Sequence, residues 1–330
     1  MRRGLIGLVV VLSACVTLPR PSPPVVAPPI TIPPIVVPEL PPVVVEPTLA
    51  WPGADGAWLE DLRDTSRVDR DAVGDAVVIH RGVLIAKLGN WNARSGLWSS
   101  SVRTWRTLMT LQAIHEGRIP REALEQDAGR PFPQGIHLIH VLSRTSNARP
   151  PGTSWRYSGG DHWPWQHQVI ERMTGESREA TTLRLVSAVG ASLTWDRDPD
   201  DGTQRVDGSP YEMAKLGLLM LREGLWSDHR VFDADLWRMA IGGGLHGDGA
   251  PMHTEGWQVH LVRDGGRHTE LGARPPMSHV SDRAYFAAGG TNRGYVFVDP
   301  ETDLVVARVR RAGVSVDQFL PNLLDALEIR

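Results

Sequence analysis

Two segments, one toward each end of the chain, restrict the fold more than any other feature. Residues 75–87 (DAVVIHRGVLIAK) contain two apolar runs separated by Arg81-Gly82, which is the residue chemistry of a tight β-hairpin. Residues 294–309 (GYVFVDPETDLVVARV) contain two more, separated by the turn-forming residues Asp-Pro-Glu-Thr at 299–302. The sequence therefore predicts an antiparallel strand pair near each end of the folded region.

The chain between these strand pairs is mostly helical in its periodicity. Helices are predicted at 100–116, at 166–174 and at 210–223, and a glycine follows each of them. Strands at both ends with helices between them predict an α+β fold. In this fold one antiparallel sheet is formed by both ends of the domain and is flanked by helices.

The first fifteen residues resemble the signal peptide of a bacterial lipoprotein. Arginines at positions 2 and 3 precede an apolar stretch, 5–12, that is too short to span a bilayer. The sequence LSAC then ends at Cys15 and resembles a lipobox, whose cysteine is lipidated and becomes the mature amino terminus. The resemblance implies a lipid anchor at Cys15, a bacterial cell-envelope location and a folded domain in the periplasm or outside the cell. An ordinary signal peptide with an incidental cysteine is the alternative.

A proline-rich tether is predicted at 16–52. Its main part, PPVVAPPITIPPIVVPELPPVVVEP, alternates proline with apolar residues, which fixes φ and favours extended polyproline II over a packed core. One folded domain is therefore predicted at 53–330. The formal charge of −3 gives no electrostatic reason to expect nucleic acid as a partner.

Six segments occur in an order that resembles the β-lactamase-related serine hydrolases. This family includes class C β-lactamases, D-alanyl-D-alanine carboxypeptidases, esterases and 6-aminohexanoate-dimer hydrolases. The resemblance covers roughly 70–315 and implies a β-lactamase/transpeptidase-like fold that acts on an amide or ester through a serine, with no metal or cofactor. The segments are DAVVIHRGVLIAKLGN, WSSSVRTWRTLMTLQAIHEGRI, IHLIHVLSRTSN, PPGTSWRYSGGDHW with QVIERMTGES, SPYEMAKLGLLMLREGLW, and AAGGTNRGYVFVDPETDLVVARV.

The family's first motif, Ser-x-x-Lys at the start of a buried helix, is incomplete. An ungapped alignment to the Glu-Gly at 116–117 implies Ser100 as the nucleophile and places Arg103 at the lysine position. A one-residue gap would give Ser101 and Thr104 instead. We prefer the ungapped alignment.

No lysine can replace the missing one, because the chain has only Lys87 and Lys215 and neither follows a serine at the required spacing. Arginine stays protonated and has no acceptor lone pair, so Arg103 cannot take the proton of a serine. It could hold a serine oxygen or a substrate carboxylate. The substitution therefore predicts a changed or a lost mechanism.

The second motif survives in part as YSGGD at 157–161. The resemblance implies that Tyr157 shares proton transfer and that Gly159 and Asp161 line the substrate site, although Gly159 lacks the amide of the family's Tyr-x-Asn. A phenol needs a strong positive neighbour to ionise at neutral pH, and Arg103 could be that neighbour. The alternative for Tyr157 is a buried ring with a satisfied hydroxyl.

The third motif, Lys-Thr-Gly in many members, aligns with Ala288-Gly289-Gly290. Small residues would let a substrate lie along the strand edge, where a backbone N–H could serve in an oxyanion hole with the amide of Ser100. A bulge or a strand bend explains the glycines equally well.

Several histidines are weaker candidates. His137 and His140 have a spacing that could share a metal, but capping or surface roles are favoured because they fall where the resembled family has a polar helix start. Asp161-His162, or His246 with His253, could supply a replacement base.

Two functions remain open from the sequence. The first is a lipid-anchored serine hydrolase that forms an acyl-enzyme on Ser100 and acts on small amides, esters or peptidoglycan-like peptides. The second is a catalytically degenerate relative that binds cell-envelope peptides or a protein partner.

Overall fold

A computed structural model describes most of the chain beyond its first fifty residues. The described residues belong to one compact unit. They are 51–52, 57–95, 98, 101–129, 132, 134–144, 163–197, 204–242, 256–262, 280–288, 294–309, 314 and 316–329.

A six-stranded antiparallel sheet forms the centre of the described structure. Its strand order is β2-β1-β10-β9-β8-β7, so strands from both ends of the chain pair directly. Asp75 on β1 lies opposite Val309 on β10, and the register continues to His80 opposite Leu304. The prediction of an α+β fold with a sheet made by both ends is confirmed. The strands are β1 (Asp75–His80), β2 (Val83–Leu88), β7 (His260–Leu261), β8 (Tyr285–Ala288), β9 (Gly294–Asp299) and β10 (Leu304–Val309).

The predicted hairpin between β1 and β2 has the expected tight turn. Arg81 and Gly82 both have positive φ, 53° and 77°, which matches the right-handed twist of the flanking strands. The N–H of Arg81 donates to the carbonyl of Asp303, 2.8 Å away, in the turn between β9 and β10. This bond joins the two predicted hairpins at one end of the sheet.

Helices cover both faces of this sheet. One face packs against α6 in a core that α2 shares, and the other packs against the carboxyl-terminal helix α8, whose Phe319, Leu320 and Leu323 are fully buried. The helices are α1 (Arg70–Val73), α2 (Val102–His115), α3 (Leu138–Leu142), α4 (Trp163–Thr174), α5 (Arg178–Ala188), α6 (Pro210–Leu221), α7 (Ala234–Ile241) and α8 (Val316–Ala326), with a 3₁₀ turn at Arg121–Glu125.

Helix α6 begins and packs as its sequence dictates. The Ser209 hydroxyl accepts a hydrogen bond from the N–H of Glu212 at 3.3 Å, and Pro210 occupies the first helical position. Gly217 faces β9 and β10 so closely that an added Cβ would lie 2.5 Å from Val305 and 2.8 Å from Val296. The glycine therefore sets the distance between α6 and the sheet.

Two small antiparallel pairs complete the described strands. They are β3 (Thr194–Arg197) with β4 (Gln204–Asp207), and β5 (Leu225–Trp226) with β6 (His229–Arg230). None of the helices that the structure describes is both long enough and apolar enough to cross a membrane.

Candidate active site

Helix α2 carries the first predicted motif and lies inside the molecule. Every residue from Val102 to Ile114 is buried, polar ones included, so the helix is enclosed on all sides. The preceding segment is held by Trp98, whose indole N–H donates to the carbonyl of Gly208 at 2.8 Å. Ser101, the last residue before α2, thus lies at the edge of an enclosed helix.

Ser101 immediately precedes α2 and has helical backbone angles. Its side chain is fully buried, makes no cap bond and has no hydrogen-bond partner in the described part of the chain. Leaving a buried hydroxyl unpaired costs about 1–3 kcal/mol, so such a group needs a reason to be there. Ser100, the preferred nucleophile, lies outside the described residues, and its assignment stays a prediction.

The residues at the lysine position in the two alignments both lie on α2. Arg103 is buried, with 8% of its surface exposed. The Thr104 hydroxyl donates to the backbone carbonyl of Gln258 at 2.6 Å, and one turn later the Thr107 hydroxyl donates to that of Trp257 at 3.0 Å. A guanidinium and a hydroxyl engaged as a donor are both poor bases, so neither alignment supplies a replacement for lysine at this position.

Arg106, which the sequence analysis did not single out, lies one turn after Arg103 and is completely buried. Burial lowers the pKa of its guanidinium to about 9, and the neighbouring charges of Arg103 and Arg178 contribute to the same shift. Arg106 therefore remains a cation at neutral pH. The three-residue spacing from Arg103 on a helix was the available signal, since it places both side chains on one face.

His167 on α4 is a second residue that the sequence analysis missed. It is 4% exposed, and neither ring nitrogen has a hydrogen-bond partner in the part of the chain that the structure describes. Burial lowers the pKa of His167 far below the ordinary imidazole value, and the charges of Arg106 and Arg178 lower it further. The ring is therefore neutral at physiological pH.

The other predicted site residues fall mainly outside the described structure. Ala288 is the last residue of β8 and lies opposite Tyr295 on β9, so the third motif begins where that strand ends. Tyr157, Gly159, Asp161, Gly289 and Gly290 are outside the described residues, as is Cys15.

The two histidines considered for a metal lie at the start of α3. The backbone N–H of His137 donates to Nδ1 of His140 at 3.1 Å, and the two rings stack with their centroids 4.9 Å apart. Burial and the neighbouring His137 lower the pKa of His140 to about 4. This arrangement supports the predicted capping role. Within the described ranges, no group of three or more His, Cys, Asp or Glu side chains could hold a metal ion.

The fold is that of the β-lactamases and penicillin-binding proteins, as comparison with solved structures shows. A β-lactamase from Mycobacterium bovis superposes with a TM-score of 0.56 at 18% identity, covering 77% of this chain and 94% of that one. A protein from Bacillus anthracis named as a 6-aminohexanoate-dimer hydrolase gives 0.59 at 15% identity, covering 84% and 88%. A penicillin-binding protein homologue from Caulobacter crescentus gives 0.53 at 11%, covering 76% and 90%.

These similarities confirm the predicted β-lactamase/transpeptidase-like fold and support the resemblance to the β-lactamase-related serine hydrolases. The sequence itself matches no protein-family model and no curated protein. At such low identities the similarity concerns the fold, and the reaction must be argued from the residues of this chain.

Proposed function

We propose that the folded domain is a serine acyl hydrolase that cleaves an amide or ester through an acyl-enzyme. One observation carries this proposal: in a β-lactamase-type fold, the chain places consecutive serines directly before the enclosed helix α2. Ser100 is the nucleophile in the preferred alignment, and Ser101 in the alternative.

The proposed reaction needs a base other than lysine. In the first step the serine Oγ bonds to the substrate carbonyl carbon while Tyr157, as a phenolate, accepts the hydroxyl proton. The tetrahedral intermediate then expels an amine or alcohol, which takes that proton back from Tyr157, and water releases the acid by the same sequence. Arg103 is proposed to favour the phenolate, because a nearby cation lowers the pKa of a tyrosine.

The oxyanion of the intermediate would accept hydrogen bonds from backbone N–H groups. The proposed donors are the amide of the nucleophilic serine and an amide in the segment 288–290, which begins at the end of β8. The proposed substrates are small amides and esters, including D-amino-acid peptides of the peptidoglycan type. A lipid anchor at Cys15 would keep the domain in the cell envelope, where such peptides occur.

A binding module is the second candidate, and the chemistry at the lysine position favours it. Arg103 carries a buried guanidinium, and the Thr104 hydroxyl already donates a hydrogen bond to the backbone carbonyl of Gln258. A cleft of this kind could bind a carboxylate firmly without turning over any substrate, because arginine presents two parallel N–H groups to a carboxylate.

Labelling with a fluorophosphonate probe distinguishes the two candidates and identifies the serine. We expect the wild-type protein to be labelled, Ser100→Ala to abolish the labelling and Ser101→Ala to retain it, with the modified peptide identified by mass spectrometry. Ser192→Ala is a matched control, because Ser192 is an exposed serine in the described structure that lies away from α2 in sequence.

Each other outcome has a definite meaning. Loss of labelling only in Ser101→Ala would move the nucleophile by one residue and support the gapped alignment. Absence of labelling in a wild-type protein that unfolds cooperatively would contradict the hydrolase and leave the binding module.

A further inference from the structure

A group of basic and aromatic side chains, here called the Trp195 cluster, lies within the helical layer. It consists of Arg106 on α2, His167 on α4, Arg178 at the start of α5 and Trp195 on β3. The guanidinium carbons of Arg106 and Arg178 lie 5.6 and 5.5 Å from the centre of the Trp195 ring. His167 meets the same ring edge to face at a centroid distance of 4.8 Å.

Trp195 is itself held in place, so the cluster has a defined shape. Its indole N–H donates to the hydroxyl of Thr182 on α5, and that hydroxyl also lies close to the sulfur of Met109 on α2. Four separate elements, α2, α4, α5 and β3, therefore meet around one ring.

The charges in the cluster have the same sign. Arg106 is fully buried, and Arg178 has a side chain that is 16% exposed. Arg178 forms an ion pair of 2.7 Å with Glu179, whose side chain is 64% exposed and thus points to water. Like charges around a single half-buried ring repel one another more strongly than they would in water, because the interior screens them less.

His167 provides an independent indication that a ligand belongs here. Both of its nitrogens are buried without a partner in the described structure, although a neutral imidazole offers one donor and one acceptor. Buried polar groups in folded proteins nearly always have a hydrogen-bond partner, either from the protein or from something bound to it. A donor beside two guanidiniums is suited to an acceptor-only, negatively charged group.

We propose that the Trp195 cluster binds one small oxyanion of the carboxylate or phosphate type. The oxyanion accepts hydrogen bonds from His167 and from the guanidiniums of Arg106 and Arg178, and it offsets their mutual repulsion. The oxyanion takes no part in the proposed reaction, although Arg106 lies one turn along α2 from Arg103.

Equilibrium unfolding of the full chain by urea, with no guanidinium salt present, tests the proposal. Because Arg106 and His167 are buried, each sample is unfolded and refolded in the presence of the anion, so that the anion reaches the site. Sodium acetate and inorganic phosphate are titrated separately at constant ionic strength, with sodium chloride making up the difference. A ligand that binds only the folded state raises the urea midpoint in proportion to the logarithm of its concentration once the site saturates.

We expect one of the two anions to raise the midpoint with this logarithmic dependence in the wild type, and the effective one identifies the ligand as carboxylate or phosphate. Arg178→Gln should abolish the rise. Arg184→Gln, on the same helix and paired with the surface residue Glu176, should retain it. The proposal is overturned if neither anion acts, if Arg178→Gln still responds, or if Arg184→Gln loses the response equally.

Discussion

Helix α2 presents guanidiniums and hydroxyls where the family that the sequence resembles has the amine of a lysine. Burial can lower the pKa of a lysine enough to make it a base at neutral pH, whereas the pKa of Arg106 falls only to about 9 even though the residue is completely buried. Lysine and arginine carry the same charge, but only lysine can become a base at neutral pH. The identity of the side chain therefore decides whether this position can supply the base.

Arg103→Lys tests this difference. We expect the variant to acylate faster with a chromogenic ester or a β-lactam, by roughly a hundredfold to ten-thousandfold, which is the usual contribution of a general base. The measurement is the burst of released chromophore under single-turnover conditions. Arg118→Lys is the control, since Arg118 pairs with Glu116 and Glu176 outside the proposed site and should not change the rate.

The opposite outcome would also be informative. If Arg103 serves to bind a carboxylate, Arg103→Lys should weaken the affinity for a D-amino-acid peptide and add no turnover. Measuring the acylation rate and the peptide affinity in the same variant separates a recruited binding residue from a lost base.

The sequence predicted Arg103 as a site residue but did not predict which residues lie around it. A motif alignment identifies a residue at only one position on a helix. Arg106 lies three residues after Arg103, and this spacing could have indicated that both side chains share one helix face. His167 and Trp195 approach Arg106 only because α4 and β3 pack against α2, and that packing has no local signal in the sequence. The predicted Tyr157 loop lies outside the described residues, so the role of Tyr157 stays a prediction.

At the level of elements, prediction succeeded where periodicity or turn chemistry was strong. Arg81-Gly82 marked the β1–β2 hairpin correctly, and the predicted helix at 100–116 corresponds to α2 at Val102–His115. The helix predicted at 166–174 starts earlier, at Trp163, because Pro164 is tolerated in a first helical turn. Strands of two residues, such as β5, β6 and β7, are too short to show any period.

Gly217 is the element-scale residue with the clearest energetic role. In an exposed helix, replacing glycine with alanine adds about 1 kcal/mol of stability. At Gly217 the added Cβ would clash with Val305 and Val296, and overpacking of this kind costs about 1–3 kcal/mol. We expect Gly217→Ala to lower the free energy of unfolding, as measured by urea denaturation.

A double-mutant cycle shows whether the clash is the cause. Val305→Ala removes one of the two contacted methyl-bearing side chains, so the double variant should be more stable than the sum of the two single changes allows. Additive losses would mean that Gly217 is required for some other reason, and a stabilised Gly217→Ala would show that α6 can move away from the sheet at no cost.

For the whole molecule, the fold and the reaction depend on different kinds of sequence information. The sheet and its helices are specified by patterns of apolar residues, turns and caps, which tolerate many substitutions, and the fold is accordingly shared with proteins only 11–18% identical. The reaction depends on single functional groups, and one changed lysine is enough to leave hydrolysis and binding both open. The order of six segments could therefore predict the architecture without deciding the activity.

A lipid anchor at Cys15, which stays a prediction, would determine where the whole molecule works. The three fatty chains of a bacterial lipoprotein should hold a protein firmly on a membrane, whereas a single chain gives only marginal binding. We expect the wild-type protein to sediment with membranes and Cys15→Ser to appear in the soluble fraction. Ser13→Ala is the matched control, because it keeps a small residue two positions before the cysteine and leaves Cys15 in place.

Mass spectrometry of the mature amino terminus completes this test and separates the anchor from its alternative. A lipid-modified Cys15 as the first residue, extractable only with detergent, is the expected result. A soluble wild-type protein whose amino terminus is an unmodified residue would show that the first segment is an ordinary signal peptide. In that case the proline-rich stretch at 16–52 would no longer be a membrane tether, because its stiffness can separate the domain from a membrane only if one end is held there.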